Sequence, residues 1–193
     1  AVGAKIRYAD VDISTGNISP DAIEKSINSK TKAIIVVDYA GIPVEVKRIK
    51  EISEKYNIPV IQDAAHALGS KYNDKKAGNH FPFTVYSFQA IKHLTTIDGG
   101  ALQIHDKELY EKGKIIRWFG LDKKLSRMEN NITTQGYKYH MNNVNATVGL
   151  IQLENIEQLV QKYITNGKYL DEQLKNVESV DLIQYYPNTE PSY

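Results

Sequence analysis

Lys92 is the residue whose surroundings best suit covalent chemistry. It follows a strand-like run that ends at Ser87 and precedes a stretch rich in threonine and glycine, residues 94–100. Glycine allows a backbone to approach a ligand closely. The chain contains no cysteine, so a thiolate nucleophile is excluded and the lysine amine becomes a candidate. Most lysines are solvated surface charges, but one in a concave, partly desolvated site loses proton affinity and can then attack an aldehyde.

Pyridoxal phosphate is a cofactor that would supply such an aldehyde, and three further polar residues suit it. That cofactor needs an acid beside its pyridine nitrogen, because the protonated ring draws electrons from the substrate carbanion. Asp63 ends a hydrophobic run and suits this role, although it could equally cap the turn that begins after it. His66 could stack beside the ring or hydrogen-bond its hydroxyl, or be a packed histidine at a helix start. Ser87 could bind the phosphate, or satisfy a local turn.

Alternating strands and helices are predicted to position these residues. Short β-branched runs alternate with helical patterns, which is typical of strand-helix-strand units and a mostly parallel sheet. The run Ala33–Val37 is uninterrupted and apolar, as expected of a parallel strand covered on both faces. In open α/β sheets ligands bind beyond the carboxyl ends of the strands, which directs attention to Asp38, Asp63 and the stretch from Ser87 to Lys92. Predicted strands cover residues 33–37, 59–63, 84–88 and 101–104.

Helical patterns fill the intervals between these strands. Ser19 as an N-cap and Pro20 at the first helical position predict a helix over about residues 20–28. Further helices are predicted over residues 46–56 and 108–118, and one long helix from Asn143 to about Lys162. The polar stretch 125–139 is predicted to be a loop.

Two segments resemble the cofactor motifs of a known family. The sequences IQDAAHALG at residues 61–69 and YSFQAIKHLTTIDGG at residues 86–100 are similar to those of the DegT/DnrJ/EryC1/StrS family of sugar aminotransferases. Residues 4–37 and the sequence GYKYHMNNVNA at residues 136–146 also resemble the family. The resemblance implies the large α/β domain of fold type I pyridoxal-phosphate enzymes over residues 1–145, with a mostly parallel sheet flanked by helices. Residues 146–193 would form a long connecting helix and the start of a smaller C-terminal domain, and both ends are expected to be truncated.

The resemblance also implies a role for each matching residue. Lys92 would be the Schiff-base lysine and proton shuttle. Asp63 would partner the pyridine nitrogen, and His66 occupies the position usually held by Gln or His near the ring. Ser87 would be a phosphate ligand.

Several positions depart from the family pattern. Lys138 stands where the family usually has Asn, and His140 where it usually has Arg or Lys. These two positions are expected to reach the neighbouring subunit's cofactor phosphate and the substrate, and both side chains could still bind anions. Asp38 stands where the family usually has His. Trp118 could contact the sugar or nucleotide, or pack in the core at a helix end.

The implied reaction transfers an amino group from L-glutamate to a keto group of a nucleotide-linked deoxysugar, for example a 4-keto-6-deoxy sugar, for lipopolysaccharide or polysaccharide biosynthesis. A homodimer with shared active sites is expected. One alternative is a pyridoxal-phosphate-dependent sugar dehydratase. That branch holds His at the lysine position, so Lys92 favours transamination, although His93 is adjacent. The other alternative is a non-catalytic relative, which would not need Asp63, Ser87 and Lys92 together.

Composition excludes several other classes of protein. Lys+Arg 24 against Asp+Glu 23 gives a net charge of +1, and no basic run could follow a phosphate backbone, so nucleic acid is not an expected partner. No apolar stretch approaches the ~20 residues needed to cross a bilayer, and no signal peptide is evident, so a cytoplasmic location is expected. The five histidines show no close pair at metal-ligand spacing, so no metal is expected.

Overall fold

A four-stranded sheet organises the chain, for which a computed structural model describes residues 2–193. In this sheet the order is β1-β2-β5-β6; the first two pairings are parallel and the β5-β6 pairing is antiparallel. The predicted mostly parallel α/β architecture is therefore confirmed. The strands are β1 (Ile34–Val37), β2 (Val60–Asp63), β3 (Lys71–Tyr72), β4 (Lys75–Lys76), β5 (Phe83–Ser87), β6 (Gly100–Ile104) and β7 (Thr189–Glu190).

Helices connect and cover the strands. The Ser19 hydroxyl accepts a hydrogen bond from the Ala22 amide at 3.4 Å and Pro20 opens the first helix, as the sequence predicts. The second helix ends at Asn57, whose left-handed backbone stops it. The helices are α1 (Pro20–Ser26), α2 (Val46–Tyr56), α3 (Lys107–Arg117), α4 (Asn143–Leu153) and α5 (Ile156–Leu174), with a short 3-10 turn at Tyr39–Gly41.

The hydrophobic core lies between one face of the sheet and the helices α1 and α2. Alternate residues of a strand point to the same face, so Ile34 and Val36 of β1 join Val60 of β2 in this layer. Ile49 and Ile52 pack onto them from α2, because they lie one turn apart on its apolar side. The buried cluster comprises Ile23, Ile34, Val36, Val44, Val46, Ile49, Ile52, Ile58, Val60 and Phe81.

The opposite face of the sheet is open among residues 2–193, so within these residues the prediction of a strand covered on both faces is wrong. Ile35 and Val37 of β1 are 62% and 45% exposed. Val85 and Leu102, which pair with each other across β5 and β6, are also exposed. An uninterrupted apolar run shows that both faces of a strand are apolar, but not that residues of the same segment cover both.

The predicted single helix beyond residue 143 is also wrong. The chain forms α4 and α5 as separate helices, with the break at Glu154 and Asn155. The stretch 125–139 contains no helix or strand within the described chain, as predicted. None of the helices seen in residues 2–193 is both long and apolar enough to cross a membrane.

A second, small antiparallel sheet pairs the middle of the chain with its last residues. Its strand order is β4-β3-β7, with Lys71 opposite Glu190. The Lys71 ammonium lies 2.9 Å from the Glu190 carboxylate. This sheet directs residues 191–193 back towards the carboxyl edge of the main sheet.

Candidate active site

Asp63 lies at the carboxyl end of β2, on the sheet face that also carries Ser87. Asp63 pairs with Val85 of β5, so the two side chains point to the same face. Ser87 lies two residues beyond Val85 and therefore also points to that face. The Asp63 Oδ1 accepts a hydrogen bond from the Ala65 amide at 3.0 Å, which is the turn-capping role foreseen as an alternative. No donor from residues 2–193 reaches its Oδ2. One carboxylate oxygen therefore holds the turn, and the other can accept a further hydrogen bond.

Ser87 ends β5 directly opposite Gly100 of β6. The Ser87 hydroxyl accepts a hydrogen bond from the Gln89 amide at 3.3 Å, which is the local turn expected of a serine at a strand end. A Cβ on residue 100 would lie 2.4 Å from the Tyr86 carbonyl oxygen, so glycine is required there. The close approach of the two strands fixes where the loop after Ser87 leaves and rejoins the sheet.

The loop between these strands carries Lys92. The Phe88 amide donates to the Gly99 carbonyl at 2.9 Å, and the Thr96 amide donates to the Phe88 carbonyl at 2.9 Å. The Thr96 side chain is buried and donates to the Asp98 carbonyl at 2.6 Å. Lys92 is half-buried at the middle of this closed loop. The loop is thus anchored at its base and along its returning arm, with the lysine between.

The returning arm of the loop contains a strained residue. Ile97 has a φ of +73° and is 60% exposed. A positive φ is unfavourable for a β-branched side chain, and such strain costs about 1–3 kcal/mol. The next residue, Asp98, accepts a hydrogen bond through its carbonyl from the Asn145 side chain of α4 at 3.1 Å. The start of α4 is therefore attached to the lysine loop.

His66 and His93 flank this region but differ in their environment. His66 is exposed, and its carbonyl accepts a hydrogen bond from the Ser192 hydroxyl at 3.3 Å. His93 is only 7% exposed. Burial lowers the pKa of His93, and the charges of His66 and Lys92 lower it further. His66 and Lys92 therefore both lie near the His93 ring.

Asp38 follows β1 but faces the helical layer, away from Asp63 and Ser87. It is fully buried; its Oδ1 accepts from the Val44 amide at 3.1 Å and its Oδ2 from the Gln62 side chain at 2.7 Å. Burial raises the pKa of Asp38 to about 7, and the nearby charge of Asp63 adds to this effect. Asp38 is therefore a buried structural residue adjoining the site.

A second group of predicted residues is assembled where two loop segments pair. The Tyr137 amide donates to the Ile116 carbonyl at 2.8 Å, and the Tyr139 amide to the Arg117 carbonyl at 3.0 Å. Trp118 and Lys138 form an isolated β-bridge in the same pairing. This pairing joins the end of α3 to the segment that precedes α4.

The pairing places the His140 ring against the indole ring of Trp118. Their ring centroids lie 3.9 Å apart, nearly perpendicular, and the Lys123 Nζ lies 3.6 Å from the centroid of the Trp118 ring. Desolvation is the largest cause that lowers the pKa of His140, and the charges of Lys138, Lys123 and Arg117 act in the same direction. Among the described residues no partner reaches the buried His140 Nδ1. The group combines an aromatic ring with several cations, which suits an anionic ligand.

The structure thus distributes the predicted residues over two groups. Asp63, His66, Ser87 and Lys92 gather at the carboxyl edge of the main sheet; Trp118, Lys138 and His140 form the second group. Sequence reasoning missed Lys123, whose position over the indole ring no local pattern indicates. It also missed residues 192–193, which reach the first group from the far end of the chain. In residues 2–193 no three histidine, aspartate or glutamate side chains come close enough to hold a metal ion.

Comparison with known proteins identifies the family. The model of the DegT/DnrJ/EryC1/StrS aminotransferase family matches residues 1–193. The chain belongs to this family. The resemblance in the two segments around Asp63 and Lys92 is therefore confirmed over the whole chain.

Individual proteins and solved structures are similar to this chain. The chain is 42% identical over 147 residues to the UDP-4-amino-4,6-dideoxy-N-acetyl-beta-L-altrosamine transaminase of Helicobacter pylori, covering 76% of this chain and 39% of that relative. AtS13 from Actinomadura melliaura superposes with a TM-score of 0.94 at 35% identity, covering 98% of this chain and 53% of the other. Spr1654 from Streptococcus pneumoniae in its PLP-form superposes with a TM-score of 0.89 at 30% identity, covering 99% and 53%. The chain thus spans about half the length of these proteins or less.

Proposed function

We propose that this chain is part of a pyridoxal-phosphate-dependent aminotransferase that moves an amino group from L-glutamate to a keto group of a nucleotide-linked deoxysugar. The observation that carries the proposal is that Asp63 and Ser87 end neighbouring strands at one edge of the sheet and that the closed loop after Ser87 carries Lys92. Family membership supports it, as does the similarity to a transaminase named for a UDP-linked amino sugar. The identity of the amino donor, glutamate, and of the acceptor, a deoxysugar, is part of this proposal.

The residues at this edge fit pyridoxal phosphate in the chemistry of their side chains. An acid with an oxygen to spare, a hydroxyl at a strand end and a half-buried amine are the groups that would hold a pyridine nitrogen, a phosphate and an aldehyde. Asp63, Ser87 and Lys92 would take these three roles, with exposed His66 beside the ring. When bound, the cofactor supplies an electron sink for the carbon that loses its proton. The relative Spr1654 in its PLP-form supports this cofactor.

Lys92 would act twice in the proposed reaction. Its Nζ would first hold the cofactor covalently and, once displaced by the amino donor, would carry the proton between the amino acid carbon and the cofactor. This second role requires the amine to return to the same place in each cycle. The closed loop, with buried Thr96 on its returning arm, would limit the movement of the lysine backbone. The Asp63 carboxylate would lie beside the ring nitrogen and keep it protonated.

The second group would bind the anionic part of the substrate or of the cofactor. Lys138 would reach the cofactor phosphate of a neighbouring subunit, and His140 the substrate. Lys123 would add positive charge beside them, although it already covers one side of the Trp118 ring. We therefore assign Trp118 a supporting role, in which its ring holds the lysine and histidine in place rather than stacking on a nucleotide base.

A homodimer with shared active sites is part of the proposal. The α4 sequence is apolar around most of its circumference, which is typical of a helix buried on all sides. Yet Val144, Leu150 and Ile151 are 69%, 66% and 59% exposed. Since α4 is attached to the lysine loop through Asn145, a second subunit that covers this helix would lie beside the active site. We also place the enzyme in the cytoplasm, in lipopolysaccharide or polysaccharide biosynthesis.

The dehydratase alternative would need a histidine base where this chain has Lys92. The adjacent His93 is buried and hydrogen-bonded to the Tyr193 carbonyl, so it is not placed to act on a substrate. This observation favours transamination. Incubation with glutamate and the keto sugar separates the two reactions, because only a transaminase yields 2-oxoglutarate in equal amount with the aminated sugar.

The decisive experiment is reduction of the full-length protein with borohydride, followed by peptide mass spectrometry. We expect one pyridoxyl adduct, on Lys92. Lys92→Ala should abolish both the adduct and the visible absorbance of the bound cofactor. Lys112→Ala, at an exposed position on α3, should leave both unchanged. An adduct on another lysine, or absorbance that survives in Lys92→Ala, would contradict the proposal.

A further inference from the structure

Residues 191–193 pack against the backbone beside the candidate site. Pro191 and Ser192 are buried. The Ser192 amide donates to the Gly41 carbonyl at 3.1 Å, and its hydroxyl donates to the His66 carbonyl at 3.3 Å. A Cβ on Gly41 would lie 2.8 Å from the Tyr193 nitrogen, so only glycine allows this approach. The segment 191–193, here called the clasp, therefore joins the turn after β1 to the turn after β2.

The side chain of Tyr193 fastens the clasp to α5. Its hydroxyl donates to the Asp171 carboxylate at 2.8 Å, and the Tyr185 hydroxyl donates to the same oxygen at 2.8 Å. The Tyr193 ring lies directly over Gly167, where an added Cβ would come within 2.2 Å of it. The clasp is thus held on both sides, by backbone groups of the sheet edge and by side chains of α5.

His93 connects the lysine loop to this clasp. Its Nε2 lies 2.9 Å from the Tyr193 carbonyl oxygen, and its ring meets the Tyr163 ring edge-on at 4.6 Å. A carbonyl oxygen only accepts, so the Nε2 carries the proton and donates. The groups facing this ring are the side chains of His66 and Lys92, the Tyr163 ring and the clasp backbone. Burial lowers the pKa of the imidazole, and its hydrogen bonds to the clasp backbone oppose that shift. A fixed N–H donor thus adjoins the lysine in sequence.

We propose that His93 is a positioning residue, which holds the backbone of Lys92 by fastening its loop to the clasp. This inference rests on the proposed function of Lys92. The other anchors of the loop, Thr96 and Phe88, lie at its base and on its returning arm. The Lys92 amide itself donates within the loop, to the Gln89 carbonyl at 2.9 Å. His93 joins the segment beside the lysine to the clasp outside the loop. Without its hydrogen bond, the loop would keep its fold but the amine would return to the reacting carbon less reproducibly.

The test compares two substitutions in the full-length enzyme. His93→Phe keeps a planar ring but removes the donor, and we expect kcat to fall about tenfold with little change in KM, because one buried hydrogen bond is lost. His93→Gln keeps an N–H donor at the end of the side chain and should recover most of kcat. Equal kcat values for His93→Phe and the unsubstituted enzyme, or equal losses in both variants, would overturn the inference.

Two further measurements keep the outcome unambiguous. In the cofactor-free protein, nitrogen NMR of His93 should show a ring that carries a proton on Nε2, as its contact with the Tyr193 carbonyl requires. A neutral ring protonated only at Nδ1 would refute the positioning role even if His93→Phe failed to fold. Borohydride mapping of the unsubstituted enzyme tests the proposed function separately, since a missing Lys92 adduct would refute that function, whereas an adduct with unchanged His93→Phe kinetics would refute only the role of His93.

Discussion

Replacement of Asp38 by Asn should change how the stability of the fold depends on pH. Asp38 is fully buried, and burial raises its pKa from 3.8 to about 7. Between these two values the unfolded chain releases the proton that the folded protein keeps. The free energy of unfolding therefore falls as the pH rises towards 7, and this contribution stays constant above it.

The size of the effect follows from the same two values. Each pH unit by which the pKa differs between the folded and unfolded states corresponds to about 1.4 kcal/mol, so Asp38 lowers stability by about 4 kcal/mol between acid and neutral pH. Its two hydrogen bonds, from Val44 and Gln62, already oppose this loss. Asp38→Asn removes the titration. The substitution also places an amide NH2 group opposite the Gln62 side chain, which itself donates to this position. The variant should therefore be less stable in acid, but its stability should depend much less on pH.

Urea unfolding at a series of pH values between about 4 and 8 tests this reasoning. The difference in free energy of unfolding between the unsubstituted protein and Asp38→Asn should shrink steadily as the pH rises. Asp181→Asn, at an exposed position, should follow the unsubstituted protein throughout. If Asp38→Asn shows the same pH dependence as the unsubstituted protein, Asp38 is ionised in the fold at acid pH and the argument from burial is wrong.

Two substitutions test backbone conformation near the site. Gly41→Ala should lower the free energy of unfolding by more than about 2 kcal/mol, because its φ is +76° and the new Cβ would meet the clasp backbone. Gly16 has a similar φ of +69°, but a Cβ there would lie 3.3 Å from its nearest neighbour, a side-chain atom. Gly16→Ala should therefore lower the free energy of unfolding by less in the same urea titration. Equal losses in the two variants would contradict a clash with the clasp. Ile97→Gly should raise the free energy of unfolding, measured by thermal unfolding, by about 1 kcal/mol, because glycine adopts the positive φ at this position without strain. Ile91→Gly should give no gain, and a matching gain there would argue against strain at Ile97.

Local patterns predicted most of the regular elements. Ser19 and Pro20 marked the start of α1, and the apolar runs marked β1, β2 and β5. The break between α4 and α5 was missed because neither Gly nor Pro interrupts the apolar pattern at Glu154. The open face of β1 was missed because Ile35 has the same residue type whether or not another segment covers it.

The candidate site was predictable where it depends on strand ends. Asp63 and Ser87 follow from the rule that ligands bind beyond the carboxyl ends of strands, and Lys92 follows from its place between Ser87 and a threonine- and glycine-rich stretch. Contacts between distant parts of the chain gave no local signal. The hydrogen bond from His93 to Tyr193 spans 100 residues. The contact of Lys123 with Trp118 is local, but it lies in a segment without regular structure, where no periodic pattern indicates it.

The pairing of β3 with β7 has a consequence for the order in which this chain folds. It joins Lys71 to Glu190 across 119 residues, whereas the pairings within the main sheet close much shorter loops. Closing a longer loop costs more chain entropy and is slower. The main sheet and its α1 and α2 layer should therefore assemble first, and residues 189–193 should dock last. The lysine loop would gain its final rigidity only in that late step, after most of the secondary structure has formed.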